Sequence, residues 1–246
     1  MLSEKPWAID SVVRLFLCIA LTYCVGMLPI GLLDRVTLWP KAEREFLQML
    51  AGALFLQIAV LVWVRFFLRQ YAFGWKEGFG LNSSEAASAT AYGILAGALF
   101  FPVAQGLQWL SACLMELAHK TPEAQAAVQA LQDPNVSVGE KIVFGVVAVV
   151  LAPLVEESLF RGILYPAIKQ LGYPRLALWG TSVLFAALHF NEPTFVPLVA
   201  FGLVLVRLYE AFGNLLAPIV AHSFFNAANF VILIFQDQLE HLFHLT

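Results

Sequence analysis

Apolar stretches of membrane-crossing length alternate with short polar connectors along nearly the whole chain. A spanning helix needs about 20 mostly apolar residues. The first stretch runs from Val12 to Leu33 and the second from Phe46 to Leu68, separated by a connector from Asp34 to Glu45. A glycine-bearing connector, Arg69 to Glu85, ends in Asn82-Ser83-Ser84-Glu85, which reads as a helix N-cap. The third stretch, Ala86 to Leu117, contains Pro102 and is expected to kink there. His119 to Glu140 is the largest polar segment. Within it Pro122 to Leu131 predicts a short interfacial helix and Asp133-Pro134-Asn135 a break. Further stretches run from Ile142 to Ile168, Leu176 to Phe190, Phe195 to Leu208 and Leu215 to Phe235. Period-two alternation is absent, which argues against a barrel, and backbone groups in lipid must be satisfied within each segment. The expected fold is all-α: a polytopic membrane helical bundle of seven to eight transmembrane helices with an intramembrane polar cavity. It forms one integral membrane domain over residues 1–246.

Composition sharpens this picture. The chain is 60% hydrophobic and 13% charged, against about 25% charged in an ordinary soluble domain. The net charge of −3 is spread along the chain without a basic block, so nucleic acid is not expected as a partner. Cys18, Cys24 and Cys113 fall in apolar stretches, match no zinc spacing and read as small apolar core residues. Glu4 and Asp10 beside Lys5 and Arg14, before a run long enough to span, read as a first membrane helix rather than a cleavable signal. With seven spans and the N-terminus inside, inner segments hold nine Lys and Arg and outer ones five, which favours that orientation.

Several polar residues sit where hydrocarbon is expected. Glu156 and Glu157 are adjacent within Val149 to Tyr165, and a carboxylate at bilayer depth costs about 2.5 to 3.5 kcal/mol on insertion scales. Arg161 follows Glu157 at i+4, so the two share a helix face and suit a salt bridge, which by itself is a structural reading. Glu156 points about 100° away and is free for another task. His189 ends the fifth stretch four residues after Phe185, and His222 and Asn226 are spaced i, i+4 in the last. Interfacial placement of His189, packing by Phe185 and interhelical hydrogen bonding by His222 and Asn226 are the plain alternatives. Counted along straight helices from the inner face, Glu156 lies about 18 Å deep, His189 about 20 Å, and His222 and Asn226 roughly 10 and 16 Å. These depths converge only if the fourth span continues through Pro153 and past the glutamates.

Glu156-Glu157-x-x-x-Arg161, Phe185-x-x-x-His189 and His222-x-x-x-Asn226, in this order on apolar segments, resemble the three-motif signature of the CPBP intramembrane proteases. This family includes the CAAX proteases, bacteriocin-processing relatives and type II CAAX prenyl endopeptidases. The resemblance covers residues 142–235. It implies about eight spans, a cavity open to the cytosol, and hydrolysis of a peptide bond. In the prenyl endopeptidases that bond follows a prenylated cysteine. Carried over, Glu156 would be the general base, His189 would polarise the water, and His222 with Asn226 would bind the oxyanion. Glu157, Arg161 and Phe185 would support them. The implied partners are the lipid bilayer and a membrane-embedded or lipidated protein or peptide substrate. No cofactor is expected. Zinc on Glu156, His189 and His222 is the rival, disfavoured because no His-Glu-x-x-His helix is present. The setting expected is a bacterial cell (inner) membrane. The competing class is a non-catalytic protein of the same fold, serving as a bacteriocin-immunity factor, scaffold or transporter.

Overall fold

The computed structural model of the chain describes residues 5–32, 41–81 and 83–236. The connector at 33–40, Asn82, and the tail with His241 and His244 lie outside the described residues. Those described are helical and contain no strand. The helices are α1 (Ile9–Gly31), α2 (Lys41–Gln70), α3 (Trp75–Phe79), α4 (Ala86–Leu117), α5 (Ala126–Gln132), α6 (Val138–Gln170), α7 (Pro174–Ala187), α8 (Glu192–Phe212) and α9 (Leu216–Ile234). Six of them, α1, α2, α4, α6, α8 and α9, are long and apolar enough to cross a membrane. The expected number was seven to eight. The difference lies in α7: its 14 residues reach only about 21 Å, short of a hydrocarbon core about 30 Å thick. Lipid-compatible outer faces are visible in the exposed leucines at 17, 21 and 28 of α1 and at 95, 99 and 110 of α4.

Local chemistry sets the element ends that matter for the site. Ser137 opens α6 with a capping box: its hydroxyl accepts the Glu140 N–H at 3.3 Å, and the Glu140 carboxylate accepts the Ser137 N–H at 2.8 Å. Asn191 caps α8 by accepting the Thr194 N–H at 3.2 Å. Gly213, at φ 60°, closes α8 in a left-handed turn. The N-cap expected at Asn82–Glu85 is replaced by a 3₁₀ turn, Ser83–Glu85, and α4 starts without a side-chain cap.

Packing between α4 and α9 is backbone against backbone. A Cβ placed on Gly93 would lie 2.6 Å from the Ala217 carbonyl oxygen, and one on Gly97 would lie 2.9 Å from that of Ala221. Small residues permit such approach in a membrane, where apolar burial does not drive helices together. The consequence is positional, since Ala221 immediately precedes His222. The main core joins Trp7, Val64, Phe67, Phe185, Phe201, Leu205 and Tyr209. A second cluster, with Phe46, Leu50, Leu131, Val136 and Val147, seats α5 against α2 and α6. The cysteines do not take the core role expected of them: Cys18 and Cys113 are half-buried and Cys24 is exposed.

Candidate active site

Helix α6 carries the acidic pair past mid-length without a break, as the converging depths required. It does so through two π-helical turns, Val147–Leu151 and Phe160–Leu164, each followed two residues later by a proline. Such turns inside α-helices occur often at functional positions. In the first, the Ala152 N–H reaches back to the Val147 carbonyl. That leaves the Ala148 carbonyl without its α-helical donor, and Pro153, the donor a π register would call on, has no N–H. The Asn226 amide fills the vacancy, donating to the Ala148 oxygen at 2.8 Å. In the second turn the carbonyl served from outside is one whose α-register donor position is a proline. Pro166 cannot donate to the Gly162 carbonyl, and the Trp7 indole N–H does so at 2.9 Å. The Ala148 and Gly162 carbonyls are therefore each satisfied from another segment, as an apolar interior favours.

Between the two turns lie Glu156 and Glu157. Glu157 is fully buried. One of its oxygens accepts both from the Arg161 guanidinium at 2.8 Å and from the His222 Nδ1–H at 2.8 Å. Arg161, also fully buried, donates its other terminal nitrogen to the Gly202 carbonyl of α8 at 3.3 Å. Its guanidinium lies 4.6 Å from the centre of the Phe185 ring, a cation–π contact. Phe185 is the hub: its ring also meets His189 at 4.9 Å and His222 at 5.6 Å between centroids. Phe201 packs edge-on against the other side of His222 at 5.6 Å. The His222 ring is thus held by a carboxylate and two aromatic faces.

Glu156 is arranged differently. Its side chain is 28% exposed, and one oxygen lies 3.9 Å from His222 Nε2 with no hydrogen-bond partner. That gap is too long for a direct hydrogen bond and suits a bridging water. His189 Nδ1 donates to the Phe185 carbonyl at 2.8 Å, because a carbonyl only accepts. Its Nε2 is thereby left as the ring's outward nitrogen. His189, His222 and Asn226 all line one cavity of about 360 Å³.

Of the residues singled out in the sequence, Glu156, Glu157, Arg161, Phe185 and His222 form one contact cluster. His189 joins it through Phe185, and Asn226 joins through the shared cavity. Among the described residues no group of three or more His, Cys, Asp or Glu is placed to hold a metal ion. Sequence reasoning missed Trp7, Phe201, Gly202 and the Ala148 carbonyl. The two in-span prolines signalled orphaned carbonyls, but nothing in the sequence said which donor would reach them. The cavity mouth, with Gln108, Glu123 and Ile232, lies at the bundle end opposite the N-terminus. An N-terminus inside and a cavity open to the cytosol therefore exclude one another.

Residues 138–228 match the family described as Rce1-like, type II CAAX prenyl endopeptidase Rce1-like. That match makes the motif-bearing region similar to the CAAX/CPBP proteases over 138–228. The matched span begins at the α6 capping box and ends in α9, enclosing all the motif residues. An uncharacterised protein of Bacillus subtilis (strain 168), YpbD, is 37% identical over 81 residues, which cover 31% of this chain and 39% of that relative. The chain thus spans about two fifths of the relative's length. No solved structure matches.

Proposed function

We propose that this integral membrane protein is an intramembrane endopeptidase that hydrolyses a peptide bond with water activated by Glu156. The observation that carries the reading is the division of labour within the acidic pair. Glu157 is fully buried and spends one oxygen on both Arg161 and His222, its other oxygen being shut in the core without a partner, while Glu156 is partly exposed and keeps an unpartnered oxygen beside His222 Nε2. Only one acid of the pair is thus tied into the structure, and the other is open to a reacting group.

In the proposed reaction a water held by Glu156, with help from His189, attacks the carbonyl carbon and gives a proton to the Glu156 carboxylate. The new C–O bond turns the carbonyl oxygen into an oxyanion. Asn226 faces it with the amide hydrogen not spent on Ala148. His222 can donate from Nε2 only when its ring carries both protons, since the Nδ1 hydrogen is committed to Glu157. Such fixed donors in a water-poor site are worth most in the transition state. Collapse breaks the C–N bond, and Glu156 returns its proton to the departing amine. Glu157, Arg161 and Phe185 act as positioning residues. The reading assigns the activation of water to Glu156 as a general base and assigns no metal. A bacterial cell membrane is the proposed location, and a membrane-associated polypeptide the proposed substrate.

The test is terminal-peptide profiling of host membranes with wild-type protein and Glu156→Gln at matched abundance. New protein termini that vanish in the variant are the expected result. Identical termini, with the variant still supporting the biological role, would move the assignment to a non-catalytic scaffold or immunity protein.

A further inference from the structure

The cavity wall is largely apolar, with Phe144, Leu198, Phe225 and Phe230 among its residues, and its polar side chains are mostly amides. Gln105 and Gln108 come from α4, Gln125 from the segment before α5, Asn191 from the α8 cap, and Asn226 and Asn229 from α9. Some of their capacity is spent internally. Gln105 donates to Asn229 at 3.0 Å, Asn229 to the Phe225 carbonyl at 2.9 Å, and Gln125 to the Thr194 hydroxyl at 3.1 Å. Each amide has two N–H donors and an oxygen with two lone pairs, so these bonds leave donors and acceptors over. A wall that offers both matches the peptide group, which itself has one donor and one acceptor.

Charge is distributed in the opposite sense to what a carboxylate needs. Among the described residues that line the cavity none is lysine or arginine. The only lining groups there that can become cationic are His189 and His222, and His222 sits between two glutamates. Glu123 stands at the rim. Lys120, next to that rim, is ion-paired with Glu192 at 2.9 Å. A carboxylate brought in here would lose its hydration without gaining a basic partner, and would meet Glu123 on entry. Recognition of a peptide's C-terminal carboxylate normally uses guanidinium groups or clustered backbone N–H groups.

We propose that this cavity takes an uncharged, extended stretch of polypeptide through its amides and gives no preference to a free C-terminal carboxylate. The substrate is then cut at an internal bond rather than at a fixed short distance from its end. This inference rests on the peptidase reading above, deepening it to a substrate class.

The experiment uses the purified full chain and a synthetic library of apolar peptides, made once with a free C-terminal carboxylate and once as the carboxamide. Cleavage by the wild type is read by mass spectrometry. Retention on immobilised Glu156→Gln protein, which binds without turnover, is read in parallel. Retention of the two libraries within about twofold, with cleavage positions scattered along both, is the expected result. Retention favouring the free acid by about tenfold or more, cleavage confined to bonds near a free carboxylate, or no retention of either library overturns the proposal. Equal retention without Glu156-dependent cleavage would leave the cavity assignment standing and remove the peptidase reading, so the two failures are distinguishable.

Discussion

Replacing Arg161 by methionine keeps most of the side-chain volume and removes the guanidinium. Three interactions go with it: the 2.8 Å bond to Glu157, the 3.3 Å bond to the Gly202 carbonyl and the stack on Phe185. The decisive effect is what stays behind. Glu157 is fully buried, and without Arg161 its carboxylate keeps only His222. Hydrogen bonds between membrane helices average about 0.6 kcal/mol, so ordinary bonds alone would make the change mild. Leaving a buried charge unpaired costs about 3 to 5 kcal/mol, and we expect Arg161→Met to fall in that range. The folded-to-unfolded ratio then drops by about a hundredfold or more. Unfolding by dodecyl sulfate in mixed micelles, followed by tryptophan fluorescence, measures it. Adding Glu157→Gln removes the stranded charge while keeping an oxygen for His222. The double variant should therefore be more stable than the sum of the two single changes predicts, with a coupling of about 0.5 to 3 kcal/mol. A cost below about 1 kcal/mol for Arg161→Met with no coupling in the cycle would refute the buried-pair reasoning.

Three more expectations follow from geometry. Gly97→Val puts a branched side chain where a Cβ already lies 2.9 Å from the Ala221 carbonyl; it should cost about 1 to 3 kcal/mol and lower turnover by moving His222, as read by the same unfolding assay beside peptide cleavage. Pro153→Ala restores a backbone donor that competes with Asn226 for the Ala148 carbonyl, so turnover should fall with little loss of folded protein; unchanged turnover would show that Asn226 is not held in place by that bond. With all native cysteines replaced, Gln129→Cys on α5 should react with a membrane-impermeant maleimide in intact cells, because the Lys and Arg excess lies at the opposite bundle end; reaction only in inverted vesicles would reverse the orientation.

Much of this architecture was readable from hydropathy because lipid allows few alternatives to helices. The third span, Ala86 to Leu117, coincides with α4, and the fourth runs through Pro153 as the depth argument required. The Glu157–Arg161 contact followed from i, i+4 spacing alone. What spacing could not provide was the third party. That His222 turns its Nδ1 to Glu157 rather than to Glu156 depends on how closely α9 approaches α4, a tertiary distance set by Gly93 and Gly97. Trp7 escaped notice because it precedes the first helix, yet its indole serves a carbonyl 155 positions away. α7 was expected to extend to Phe190; its helix stops at Ala187, and the turn that follows lets His189 bond back to Phe185.

Each π-helical turn in α6 can be thought of as one residue more than an unbroken α-helix would hold, inserted at fixed phase. Removing a single residue from Val147–Leu151 would let that turn close into regular α-helix and leave Glu156 and Glu157 on their present faces relative to the Ser137 cap, because the wide turn absorbs the extra residue. Straightening the turn with every residue kept would instead carry the extra residue forward and rotate everything beyond it by about 100°. Glu156 would then swing to another face of the helix and Glu157 would lose His222. The wide turn therefore sets the heading of the reactive groups as well as their depth. A one-residue deletion within 147–151 should disturb that heading less than a one-residue deletion elsewhere between the cap and the acidic pair.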